Sequence, residues 1–95
     1  ILLLLLLIDV SMAAQLRCNQ GQSVIQAEAL CKSEDKCCTF KKGFLKKNSY
    51  EHDKWGCSSK CPDFRGKDVV HDYISRITYC TRNIGPCMIH GQGVF

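Results

Sequence analysis

Eight cysteines are the residues of this chain best equipped for chemistry: Cys18, Cys31, Cys37, Cys38, Cys57, Cys61, Cys80 and Cys87. At such density, thiols bind a metal, act as nucleophiles or pair as disulfides. A zinc site would use Cys57 and Cys61, three residues apart, completed by His52, His71 or His90. No H-x3-5-H spacing accompanies that pair. An even number of cysteines in an exported chain pairs under oxidising conditions. All eight are therefore expected in disulfides, with no metal and no cofactor.

Other catalytic chemistry finds little support. Secreted phospholipase A2 carries a His-Asp pair close behind a Cys-Cys doublet. Here His52-Asp53 stands well apart from Cys37-Cys38, and no glycine-rich calcium loop is present. No Ser/His/Asp arrangement, phosphate-cradling loop or paired-carboxylate signature stands out. The three histidines are scattered and read as surface groups. The chain is not expected to be an enzyme.

The elements that must hold these cysteines follow from length and composition. Ile1 to Ile8 is an unbroken apolar run, followed by Asp9-Val10 and small residues at Ser11, Ala13 and Ala14. That is the pattern of a secretory h-region and cleavage zone, so residues 1–14 are expected to be a leader that lacks its own first residues. Eight apolar residues fall far short of the roughly 20 that a membrane helix needs. Met88 to Phe95 is too short and polar for a lipid-anchor tail. The expected mature chain is residues 15–95, one secreted domain. Loss of Asp9 with the leader raises the net charge from +4 to +5.

Cysteines aside, only 23 of those 81 residues are apolar. So small a core stabilises a domain marginally. Disulfides closing loops of 15 to 30 residues, at roughly 3 kcal/mol each, make up the difference. Between the cysteines the chain reads as β-structure. Asn19 to Gln22 carries a turn signal and Ser23 to Gln26 a short extended stretch; Ala27 to Leu30 is open between strand and helical turn. Cys38 to Lys41 has strand composition, and Asn48 to Asp53 forms a polar tip from which Lys54 to Cys57 returns. Val69 to Cys80 is β-branched and aromatic, with Tyr73, Ser75, Ile77 and Tyr79 on its more apolar, inward face. Three Cys-bounded loops result, each a hairpin: Cys18–Cys31, Cys38–Cys57 and Cys61–Cys80.

At this level the chain resembles the three-finger proteins, the group of snake neurotoxins and Ly6/uPAR domains. Leu16-Arg17-Cys18 is similar to their L-x-C opening. Gly56-Cys57-Ser58-Ser59-Lys60-Cys61-Pro62 is similar to their G-C-x3-C-P junction, and Ile77-Thr78-Tyr79-Cys80 to their I-T-x-C strand end. The resemblance implies a small disulfide-rich all-β fold, three hairpin loops from a Cys-bridged palm. It departs where that family has a second Cys doublet: here Cys80-Thr81 stands instead, and an extra cysteine makes the doublet Cys37-Cys38. The pairing implied is Cys18–Cys38, Cys31–Cys57 and Cys61–Cys80, with an altered fourth bridge, Cys37–Cys87. Adjacent strand residues face opposite ways, so Cys37 and Cys38 need different partners, and which one takes Cys18 stays open. The displaced cysteine pattern also resembles plethodontid modulating factor, the salamander courtship-pheromone branch.

Function in three-finger proteins often sits at the finger tips. The strongest surface feature is a basic stretch on the middle hairpin: Lys41, Lys42, Lys46 and Lys47 around Phe44 and Leu45. Exposed there, these residues suit an acidic receptor loop or an anionic membrane surface. Equally, they suit a solvated hairpin with a charge-guarded strand edge. The expected function is a secreted, monomeric signalling protein binding a cell-surface receptor or channel, in the manner of a pheromone. A toxin-like, membrane- or channel-active peptide and an inhibitory module of a glandular secretion are the other readings. Nucleic acid is not an expected partner of an exported protein.

Overall fold

The computed structural model describes residues 15–88; the leader expected at residues 1–14 lies outside them. Within them the chain folds as a small, disulfide-rich, all-β protein. The strands are β1 (Arg17–Gln22), β2 (Ile25–Leu30), β3 (Cys37–Lys41), β4 (Leu45–Lys46), β5 (Ser49–Tyr50), β6 (Lys54–Ser58), β7 (Val69–Asp72) and β8 (Ile77–Cys80), followed by a 3-10 turn at Gly85–Cys87. Six strands form one antiparallel sheet in the order β2-β1-β6-β3-β8-β7, and β4 pairs with β5 at the end of the middle hairpin. Among the described residues, no helix is long and apolar enough to cross a membrane.

The first hairpin turns later than its sequence suggests. Asn19 to Gln22 is strand, and the loop is Ser23-Val24, closed by the pair Gln22↔Ile25. Two-residue loops require positive φ at their first or both central positions. Ser23 supplies it at 53°. Gly21, at φ 127°, cannot be replaced cheaply, because a Cβ there would overlap the Ile25 carbonyl oxygen. Ala27 to Leu30 is strand throughout, since six register pairs with β1 outweigh alanine's helical preference.

The segment Val69 to Cys80 is two strands. Asp72 Oδ1 accepts the backbone N–H groups of Ile74 at 3.0 Å and Ser75 at 3.4 Å, and this Asx turn folds β8 back on β7. Tyr73 therefore sits in the turn, 87% exposed, instead of on an inward face, and on β8 the buried residues are Thr78 and Cys80, not Ile77 and Tyr79. The third hairpin is Val69–Cys80, not the whole of Cys61–Cys80.

The core is mostly sulfur. Cys18, Cys31, Cys37, Cys38, Cys80 and Cys87 are buried, and the buried large side chain beside them is Trp55. Its ring packs on Phe40 at 5.0 Å, and its Nε1–H donates to the Pro86 carbonyl at 3.3 Å.

The disulfides are Cys18–Cys38, Cys31–Cys57, Cys37–Cys61 and Cys80–Cys87, which leaves no free cysteine. The first two match the implied pairing. Cys61–Cys80 and Cys37–Cys87 do not form, and the sheet explains why. Cys38 lies directly opposite Cys57 on β6 and Cys80 on β8, so these three share one face. Cys18, Cys31 and Cys87 pack on that face. Cys37 points to the other face, opposite Ser58, where the chain leaving β6 delivers Cys61. The expected pairs would each have had to join opposite faces. Cys87 instead meets Cys80 through the turn at Gly85–Cys87.

Candidate functional site

The sheet registers place all three loop tips at one end. A single row of paired residues crosses six strands: Ile25, Gln22, Lys54, Lys41, Ile77 and Asp72. Every tip lies beyond this row. At the opposite end runs the row Cys57, Cys38, Cys80 and Val69, where the disulfides gather. The first tip is only Ser23-Val24 and the third only Tyr73 to Arg76, whereas the middle hairpin extends from Lys42 to Asp53.

The base of that middle extension is tight. Gly43 N–H donates to Asp53 Oδ1 at 2.6 Å, and Glu51 N–H to the Phe44 carbonyl at 2.9 Å. A Cβ on Gly43 would overlap the Glu51 carbonyl, so glycine lets the two chains approach. Beyond it, β4 and β5 pair Leu45 with Tyr50 and Lys46 with Ser49.

The four lysines divide into two kinds. Lys41 Nζ lies 3.6 Å from Glu51 Oε1, and Lys46 Nζ 3.1 Å from Glu51 Oε2. The Lys46 hydrogen bond, helped by the charges of Lys46 and Lys41, holds the Glu51 carboxyl below the usual carboxylate range. The bridge is therefore fully formed above that range and is lost as pH falls through the lowered pKa. Lys42 and Lys47 form no ion pair with any described residue.

The apolar pair also differs from expectation. Phe44 is half-buried, with the Arg76 guanidinium carbon 4.2 Å above its ring centroid and the Lys46 ammonium 5.4 Å away. It joins the middle hairpin to the third. The exposed partner of Leu45 is Tyr50, at 80% and 55% exposure, and His52 stands edge-on to that tyrosine.

The other two tips carry apolar pairs that sequence reading did not single out. Val24 and Ile25 are 90% and 80% exposed, and Tyr73 and Ile74 are 87% and 97% exposed. The available signal was an apolar pair inside a turn, where polar residues are the norm. Folding thus gathers three apolar pairs at the loop end, with Lys42 and Lys47 among them.

The structure places Cys57 and Cys61, the cysteines of the zinc reading, in different disulfides. The sulfurs of Cys18, Cys31 and Cys57 lie within 4.8 Å of one another, but each is in a disulfide and offers no thiolate. Cys61 is bonded on the other face. His71 Nδ1 is hydrogen-bonded to Thr78 Oγ1 at 2.8 Å, and His90 lies outside the described residues.

Between the middle and third hairpins opens a cleft of about 430 Å³. No protein-family model, curated protein or solved structure matches the chain.

Proposed function

We propose that the chain is a secreted, non-enzymatic signalling protein of the three-finger type, which binds a cell-surface receptor or channel through its loop end. The observation that carries this reading is the set of three exposed apolar pairs, Val24/Ile25, Leu45/Tyr50 and Tyr73/Ile74, at and beyond one register row. Val24 and Ile74 are nine-tenths exposed, and apolar side chains presented at one end of the sheet, with cations beside them, suit a broad protein partner. Four disulfides fit an oxidising, extracellular setting. The cysteine pattern quoted above makes a courtship pheromone the narrower reading.

Binding of labelled protein to responsive cells tests the proposal. Glu51 provides a variant that distinguishes an attracting patch from a solvated one. Glu51→Gln removes the carboxylate that engages Lys41 and Lys46 and leaves both cations free. If the tip meets an acidic receptor loop, E51Q should bind several-fold tighter at low ionic strength, with the gain shrinking as salt rises. Unchanged or weaker binding would count against an acidic partner. The membrane-active reading predicts instead that protein co-sediments with anionic vesicles in the absence of any receptor.

A further inference from the structure

The cleft between the middle and third hairpins combines an apolar lining with two cations. Phe44 and Ile77, both partly buried, give it that apolar lining, and exposed Tyr73 adds to its wall. Lys42 and Arg76 stand at its edge, and neither lies within ion-pair distance of a carboxylate among the described residues. Arg76 is seated with care. Its guanidinium carbon lies over the Phe44 ring, 4.2 Å from the centroid. It forms no hydrogen bond to a described residue. With no partner among the described residues, its N–H donors are free, in the fork geometry that grips a carboxylate.

Other polar groups of the cleft are already engaged. Asp72 spends Oδ1 on the N–H groups of Ile74 and Ser75, and His71 bonds Thr78 through Nδ1. Two cations, Lys42 and Arg76, against one carboxylate, Asp72, leave the cleft with a surplus of positive charge. Its volume of about 430 Å³ falls within the roughly 300–1,000 Å³ of small-molecule sites, which are largely apolar with a few convergent polar groups.

We infer that this cleft binds a small amphipathic monoanion, an organic carboxylate whose apolar body lies on Phe44 and Ile77 while its head is held by Arg76 and Lys42. The inference is independent of receptor binding, because the isolated protein should bind the ligand without any cell.

Decanoate is a suitable probe, with decanol as the uncharged analogue and acetate as the head alone. Amide and side-chain NMR shifts at Phe44, Tyr73, Arg76 and Ile77 should saturate with decanoate in the sub-millimolar range, while decanol and acetate bind at least tenfold more weakly. Arg76→Asn is the decisive variant. Arg76 has φ 64°, a conformation that asparagine adopts readily. R76N should therefore keep the parent's Trp55 emission, with a thermal midpoint lowered by no more than loss of the Phe44 contact costs, yet lose decanoate affinity at least tenfold. No saturable shift up to about 10 mM decanoate, a complex too weak to matter at ordinary concentrations, overturns the inference. Equal affinity for decanol would show an apolar groove without an anion site. Equal affinity of well-folded R76N would remove Arg76 from the site, and either result overturns it too.

Discussion

Replacing Cys31 and Cys57 together with serine should leave the protein largely unfolded at physiological temperature. The bridge spans 26 residues, and restricting an unfolded loop of that length stabilises by about 3.5 kcal/mol. A small domain has a total of about 5 kcal/mol to lose. Its remaining core is Trp55 and five other buried cysteines beside Cys31 itself, so loss of the bridge also loosens the packing that would have to compensate. Trp55 is the single tryptophan of the chain and reports the outcome directly, because unfolding breaks its contacts with Phe40 and Pro86 and moves its emission to the red. The corresponding change at Cys80 and Cys87 should be milder. That bridge spans 7 residues, for which the same reasoning gives about 2.4 kcal/mol. Its loss should lower the thermal midpoint and leave the three hairpins in place. Equal damage from both variants would mean that packing, not chain restriction, dominates the frame.

The second large effect concerns binding. Changing Lys41, Lys42, Lys46 and Lys47 to glutamine removes four positive charges from the middle tip and leaves Glu51 and Asp53 behind. The fold should survive, because exposed lysines contribute little to stability. Affinity for target cells should fall well over tenfold at low salt and much less above physiological ionic strength, where the screening length drops below about 8 Å. Leu45→Ser and Tyr50→Ser should weaken binding with little salt dependence, since apolar burial is not screened. Phe44→Ser is different in kind. It removes the ring under Arg76 and should disturb the third hairpin's approach as well. A quadruple variant that binds like the parent at every ionic strength would reduce the basic stretch to a solvated surface.

How much of this was legible beforehand depends on the range of the forces involved. The cysteine count and the thin apolar content determine that the protein is held by disulfides, because both are properties of composition, and the β-structure was read from the segments between the cysteines. The middle hairpin was readable from local chemistry, with strand-forming Cys38 to Lys41 answered by Lys54 to Cys57. The break at Tyr73 was not, because the aromatic and β-branched run around it matches a single strand as well as two. What decides is one carboxylate, Asp72, capping the backbone ahead of it. Disulfide partners were only half legible. Neighbouring cysteines must face opposite ways, but which face gathers Cys61 and Cys87 depends on how β6 and the last turn leave the sheet. The neutralisation of Lys41 and Lys46 by Glu51 is likewise a product of the hairpin register, since these residues meet only once β4 and β5 have paired.

One comparison tests the loop-end account most directly. A variant carrying serine at Val24, Ile25, Leu45, Tyr50, Tyr73 and Ile74 keeps every disulfide, the Trp55 core and all six strands of the main sheet. A second variant carrying glutamine at Lys32 and Lys36 alters exposed charge away from the tips. Binding isotherms of both on the same target cells should separate them widely. If each apolar pair contributes about 1 kcal/mol or more at the interface, the tip variant loses at least a hundredfold in affinity, while the second stays within about twofold of the parent once the salt-dependent part is subtracted. A well-folded tip variant that still binds like the parent would contradict the account.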